Sequence, residues 1–149
     1  ILMNQTRHFF LKAQGYTSIN LKKTVTNHYQ IEAVINDVEG LFILDTGASN
    51  TCTDLTQLEK FKLISETSEI KASSATDLMQ ETKVSKKNTI QIGKWLSKSS
   101  SIVLFNMNHI NKSLSEREVQ KVDGIIGADI LKKGKAIIDY EKNRLYLKL

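Results

Sequence analysis

Apolar and polar residues alternate along this chain in short stretches, which predicts a series of strands separated by polar turns. Over residues 16–26 the alternation is loose, and over 28–35 (HYQIEAVI) it is clear, as for a half-buried strand. Asn36-Asp37-Val38-Glu39-Gly40 reads as a turn by composition. Leu41-Phe42-Ile43-Leu44 is an unbroken apolar run ending in Asp45, the pattern of a strand buried on both faces. Asp54 is placed to cap a short helix through Lys60, with Leu55 and Leu58 on one side of it. Residues 61–74, 78–84, 89–92 and 102–105 are further strand candidates.

The stretch 106–122 is polar and predicted irregular, with one short helix at 115–120. A buried apolar run follows at 124–127, then a short helix at 128–133 closed by Gly134. Residues 135–140 and 144–149 read as a hairpin around Glu141-Lys142-Asn143. Residues 1–15 are expected to form an N-terminal arm and 16–149 one domain, mainly β, with no internal repeat or low-complexity tract.

Composition narrows this picture. A length of 149 residues suits one domain and suffices to bury a core without disulfides. The single cysteine, Cys52, excludes an intrachain disulfide and any multi-thiolate metal site, and is expected as a small core residue. His8, His28 and His109 are spaced unlike metal ligands, so no metal is expected. There is no proline, and no apolar run approaches the ~20 residues that a membrane helix needs. The net charge of +5 divides unevenly: residues 1–75 carry 7 basic and 8 acidic groups, and residues 76–149 carry 14 and 8. Six lysines and no acid fall between Lys83 and Lys112. No arginine or aromatic cluster accompanies them, so solvated strand edges explain them and no nucleic-acid partner is expected.

Two segments carry candidate chemistry. In Phe42-Ile43-Leu44-Asp45-Thr46-Gly47-Ala48-Ser49 an apolar strand delivers a carboxylate into a tight turn, with a glycine two residues on to let the backbone turn sharply. An acid at the end of a buried strand is costly unless it is hydrogen-bonded or has a task. Read alone, Asp45 could equally cap its own turn. The second segment is Asp123-Gly124-Ile125-Ile126-Gly127-Ala128-Asp129-Ile130-Leu131, which by itself is a strand-to-helix junction with a tight glycine turn.

Together and in this order, Ile43-Leu44-Asp45-Thr46-Gly47-Ala48 and Ile125-Ile126-Gly127 resemble the retropepsin-like aspartic proteases. That family combines two hydrophobic residues and Asp-Thr-Gly-Ala/Ser with a later hydrophobic pair and glycine before a short helix. Asp129-Ile130-Leu131, Ile138-Asp139-Tyr140 and Leu145-Tyr146-Leu147 are similar to bacterial members and to the retroviral-protease-like domain of DNA-damage-inducible proteins. The resemblance covers residues 16–149. It implies a closed, antiparallel, β-barrel-like acid-protease fold with one short C-terminal helix and a flap hairpin. Because Asp-Thr-Gly occurs once, it implies an endopeptidase that acts as a homodimer on a peptide or protein substrate, pairing two copies of Asp45 without a cofactor. By the same resemblance Thr46 hydrogen-bonds across the dyad axis, Gly47 admits the substrate backbone, and Ile125, Ile126 and Gly127 pack behind the catalytic loop. Ala48 stands where many two-lobed relatives have a hydroxyl, and it has none to donate to the catalytic carboxylate.

Two departures from the family pattern stand out. Retroviral members pair an acid just after Asp-Thr-Gly-Ala with an arginine after the later glycine; here those positions hold Ser49 and Ala128. The dimer interface is then expected to be built differently, with the C-terminal hairpin as a candidate. The flap is usually glycine-rich, yet no glycine lies between Gly47 and Gly93. Its best tip is Ala72-Ser73-Ser74-Ala75-Thr76-Asp77, with Ser73, Ser74, Ala75 and Thr76 over the substrate. Competing readings are a catalytically silent retropepsin fold that binds peptide or dimerises, and a basic nucleic-acid-binding domain. The chain begins at Ile1, so a trimmed piece of an exported, periplasmic or membrane-tethered parent is favoured over a cytoplasmic protein.

Overall fold

The computed structural model describes residues 2–67 and 82–149, with side chains from Thr6 onward. Its strands are β1 (Tyr16–Asn20), β2 (Lys22–Lys23), β3 (Tyr29–Ile35), β4 (Val38–Leu44), β5 (Cys52–Asp54), β6 (Ser65–Thr67), β7 (Lys83–Ile92), β8 (Trp95–Phe105), β9 (Gly124–Ile126), β10 (Ile137–Asp139) and β11 (Arg144–Lys148). Among the described residues three helices accompany them: α1 (Leu2–Ala13), α2 (Asn108–Glu116) and α3 (Ala128–Lys133).

The pairing β3–β4–β9–β5–β8–β7 returns to β3 through Val34 opposite Gln91 and Ile35 opposite Ile90, so six strands close into a barrel. Strands β2 and β6 extend it on β3 and β7. Most pairs are antiparallel; β4–β9 and β5–β8 run parallel. A separate sheet has the order β1-β11-β10, and β11 is therefore paired on both sides rather than left as a free edge.

The unbroken apolar run at 41–44 has the two-sided burial its pattern predicted. Phe42 and Leu44 join the barrel core with Ile31, Ile35, Phe61, Ile90, Ile102, Leu104 and Ile126. Ile43 points the other way, into a second cluster with Cys52, Val103, Phe105, Met107, Leu114, Val122 and Ile125. Helix α2 covers that second cluster through Leu114.

Several boundaries differ from the sequence reading, each for a local reason. The turn at 36–40 contracts to Asn36 and Asp37, whose positive φ values of 49° and 69° close a two-residue hairpin. Gly40 belongs to β4, where a Cβ would lie 2.7 Å from the Phe61 ring. Asp54 caps no helix: its carboxylate accepts bonds from the Met107 amide (3.0 Å) and the Thr56 hydroxyl, and only a 3₁₀ turn, Leu55–Gln57, follows. Residues 83–84 and the candidate at 89–92 belong to one strand, β7, across an irregularity between Ser85 and Asn88, where Lys87 has φ 62°; the rest of the 78–84 candidate, residues 78–81, lies outside the described residues. Strand β8 extends far beyond 102–105 because its buried serines, Ser97 and Ser100, bond each other (2.6 Å) instead of packing apolar groups.

Besides the C-terminal helix α3, the described residues contain two more helices. α2 lies earlier than 115–120, anchored where Asn111 exchanges hydrogen bonds with the backbone of Val122 (2.9 and 3.1 Å). The expected N-terminal arm contains α1, held by buried Leu11, by a 2.9 Å bond between His8 and the Tyr146 hydroxyl, and by Arg7 against Asp139 (3.2 Å). The candidate flap tip at 72–77, with Ser73, Ser74, Ala75 and Thr76, lies outside the described residues. No helix among the described residues is long and apolar enough to cross a membrane.

Candidate active site

Asp45 sits where β4 ends, one residue past its parallel pairing with β9, in which Phe42, Ile43 and Leu44 face Gly124, Ile125 and Ile126. The Asp45 amide continues that ladder by donating to the Ile126 carbonyl at 3.0 Å. The carboxylate is half-buried, and among the described residues one hydrogen bond reaches it, from the Gly47 amide to Oδ1 at 2.9 Å. The self-capping turn therefore exists and still leaves most of the carboxylate's acceptor capacity open. Thr46 and Gly47 are exposed at the tip of the loop. The Ala48 amide donates to the Asp45 carbonyl at 3.2 Å. The Ala48 side chain offers that carboxylate no donor.

Gly47 was expected to permit a sharp turn, yet among the described glycines positive φ occurs at Gly15 and Gly93 instead. What Gly47 secures is space, because a Cβ there would lie 3.3 Å from Asp45 Oδ1. The glycines of the second segment act the same way and more strictly. A Cβ on Gly124 would meet the Cys52 carbonyl at 2.1 Å; one on Gly127 would meet the Ala48 carbonyl oxygen at 2.7 Å and Asn50 backbone atoms at 2.9 Å. Gly127 has extended backbone, φ −104° and ψ −173°, so close approach rather than a tight turn explains it.

This approach brings Ile125, Ile126 and Gly127 directly behind the Asp45 loop. Ile126 is fully buried in the barrel core and Ile125 packs in the second cluster beside Ala48. The Ala128 amide donates to the Ala48 carbonyl at 2.7 Å. Ser49 and Ala128, which replace the retroviral ion pair, thus leave a backbone bond between the two segments. The C-terminal hairpin cannot offer β11 as an edge for another chain, since β1 and β10 occupy both of its sides.

Two participants escaped the sequence reading. Thr51 is fully buried, and its hydroxyl accepts from the Gly127 amide (3.0 Å) while donating to Asp129 Oδ1 (2.7 Å). The same oxygen accepts from the amides of Thr51 (2.9 Å) and Ile130 (2.9 Å). The available signal was an aspartate in the first turn of α3 with a threonine six residues after Asp45. Cys52 is 5 % exposed, and burial, with lesser contributions from the charges of Asp129 and Asp45, pushes its thiol up to about 12. It is a neutral core residue. The histidines stand apart: His8 at Tyr146, His28 against Thr26 (2.8 Å), and His109 exposed on α2.

A cleft of about 470 Å³ on the outer side of β3 and β4, lined by Glu32, Glu39, Leu41, Gln91 and Asp123 among others, does not include Asp45. Asp123 is engaged there structurally: its carboxylate accepts from the Leu41 amide (2.9 Å) and pairs with Lys60 (3.0 Å).

The sequence model of a family described as aspartyl protease matches residues 31–130. Among solved structures, the chain is similar to a retropepsin-like aspartic protease from Rickettsia conorii, with 22 % identity, a TM-score of 0.58, and coverage of 89 % of this chain and 91 % of that one. It is similar to the protease of EIAV in complex with the inhibitor HBY-793, with 16 % identity, a TM-score of 0.57 and coverage of 79 % and 98 %. It is also similar to the retroviral protease-like domain of Ddi1 from Leishmania major, with 18 % identity, a TM-score of 0.52 and coverage of 79 % and 86 %. No curated protein sequence matches it. At these identities the structural likeness establishes the retropepsin fold: mainly β, with a closed six-stranded barrel.

Proposed function

The chain belongs to the aspartyl protease family, and we propose that it is an endopeptidase whose active unit is a homodimer pairing Asp45 of each copy. The observation that carries this reading is the state of Asp45 itself. It is fixed by the β4–β9 ladder, half exposed, reached by one hydrogen bond among the described residues, and without a second Asp-Thr-Gly in the sequence to face it. Residues 16–149 form the protease domain in this reading.

Two carboxylates in contact cannot both ionise cheaply, so the pair keeps one proton. The ionised member takes a proton from a bound water as that water attacks the scissile carbonyl. The protonated member donates to the carbonyl oxygen, giving a neutral tetrahedral diol. Collapse of the diol returns a proton to the amine and breaks the C–N bond. Thr46, exposed at the loop tip, is the residue available to bond across the two-fold axis. An extended peptide laid in the groove would be held through backbone hydrogen bonds, with alternate side chains in pockets.

The test is Asp45→Asn, assayed on an unstructured protein or peptide library. Cleavage should vanish while melting temperature and oligomeric state stay within error. Cleavage that survives the substitution would refute the reading. A folded chain that binds peptide equally well with either residue would favour the catalytically silent module.

A further inference from the structure

We propose that Asp129 is a positioning residue: acting through Thr51, it locks the Asp45 loop onto the start of α3. The role follows from the way hydrogen bonds converge on one oxygen. Asp129 Oδ1 accepts from the Thr51 amide (2.9 Å), the Thr51 hydroxyl (2.7 Å) and the Ile130 amide (2.9 Å). A carboxylate oxygen is suited to this, since it is acceptor-only and its charge strengthens each bond. The Thr51 hydroxyl, its proton committed to Asp129, can accept from the Gly127 amide at 3.0 Å. One side chain thereby orients a second, and the second holds the glycine whose missing Cβ admits the loop.

The clamp matters because of what surrounds it. The Asp45 loop leaves β4 at a bond from the Asp45 amide to Ile126 and is tied again by Ala128 to the Ala48 carbonyl at 2.7 Å. Between those ties Thr46 and Gly47 are exposed, and past Ala48 the loop re-enters the interior only at Thr51, which is fully buried. Ser49 and Ala128, which follow the two ends of the Ala48–Gly127 approach, carry no charge. The Asp129–Thr51 pair is the charge-assisted link between the same two segments. For catalysis this fixes Asp45 relative to the two-fold axis, where a displacement of about 1 Å can cost about a hundredfold in rate. The kinetic part of the proposal rests on the peptidase reading above; the structural part does not.

Four variants test it: Asp129→Ala and Asp129→Asn, Thr51→Val and Thr51→Ser, each characterised by cleavage kinetics and by amide hydrogen exchange. Asp129→Ala and Thr51→Val should lower kcat about tenfold to a hundredfold, with KM within about twofold. Exchange at the Thr51 and Gly127 amides should quicken at least about tenfold, while the amides of Ile90 and Ile92 in the barrel keep their protection. Thr51→Ser, which restores the hydroxyl, should recover both properties, and Asp129→Asn, which keeps an acceptor, should lose less than Asp129→Ala. Unchanged exchange at Thr51 and Gly127 in folded Asp129→Ala would overturn the proposal. So would a uniform rise in exchange across the barrel, or a kcat loss that serine does not rescue. If the wild-type chain lacks cleavage sensitive to Asp45→Asn, the peptidase reading fails and exchange alone decides the clamp.

Discussion

Replacing Gly127 by alanine sets two opposed effects against each other, and their magnitudes decide the sign. At φ −104° and ψ −173° alanine is conformationally acceptable. Restricting the unfolded chain would by itself stabilise the protein by about 0.4–1 kcal/mol. Against that, the new Cβ would stand 2.7 Å from the Ala48 carbonyl oxygen and 2.9 Å from the carbonyl carbon and oxygen of Asn50. Those are backbone atoms of a loop already tied to α3, so relief requires moving the loop rather than turning a side chain. Overfilling of this kind costs about 1–3 kcal/mol. The net expectation is a loss of about 1–2 kcal/mol, or a melting temperature lower by about 2–8 °C for a chain of this size. Thermal unfolding followed through Trp95, buried at 5 % exposure, reads this directly, with protein concentration held constant. Peptide cleavage should fall further than the unfolding alone accounts for, because the contacts lie on the segment that carries Asp45. A melting temperature equal to or above wild type would refute the close-approach reasoning and leave chain entropy as the larger effect.

Gly47→Ala meets a milder contact, 3.3 Å to Asp45 Oδ1, on an exposed loop. It should change unfolding free energy by less than about 0.5 kcal/mol while reducing turnover, a pairing that parallel melts and kinetics would check. Truncating Phe61 to alanine, fully buried beside Phe42 and against Gly40, should cost about 3–5 kcal/mol in denaturant unfolding. Cys52 has its folded pKa pushed up to about 12 from its ordinary value of 9.0 by burial, so its protonated form favours the native state. That contribution is complete below pH 9 and is lost as pH rises toward 12. Stability measured at pH 10 should therefore fall by about 1 kcal/mol more in wild type than in Cys52→Ala. Asp139 is buried and accepts from the Glu141 and Lys142 amides, both at 3.0 Å, as well as from Arg7. Asp139→Ala should cost about 1–3 kcal/mol, and Arg7→Ala, removing a half-exposed partner, less than about 1 kcal/mol.

What the sequence revealed and what it concealed divide along physical lines. Leu41–Leu44 and Asp45 were legible because an unbroken apolar run that stops at a carboxylate has few structural explanations, and the later Ile125-Ile126-Gly127 supplied the partner. Strands β7 and β8 were broken up because their interiors are partly polar. Asn88 is buried yet satisfied by the Ser85 and Ser100 carbonyls, and Ser97 bonds Ser100, so alternation of apolar residues disappears where hydrogen bonds replace it. Helix α1 was missed because, among its described side chains, Leu11 is the one buried apolar anchor and polar ties through Arg7 and His8 help hold it, leaving Phe9 and Phe10 exposed. The Thr51–Asp129 link joins residues 78 positions apart, and no local period encodes such a bond. The glycines were recognised as necessary, but the reason at Gly47 and Gly127 is a neighbouring atom rather than a left-handed backbone, which becomes visible only once the chain is folded.

The most direct test of the shared active site is the stoichiometry of a transition-state mimic of the pepstatin kind, measured by native mass spectrometry and titration calorimetry. One inhibitor per two chains, with binding lost in Asp45→Asn, is the expected result. One inhibitor per chain on a monomer, or tight binding that survives Asp45→Asn, would contradict the pairing of two Asp45 residues across a two-fold axis.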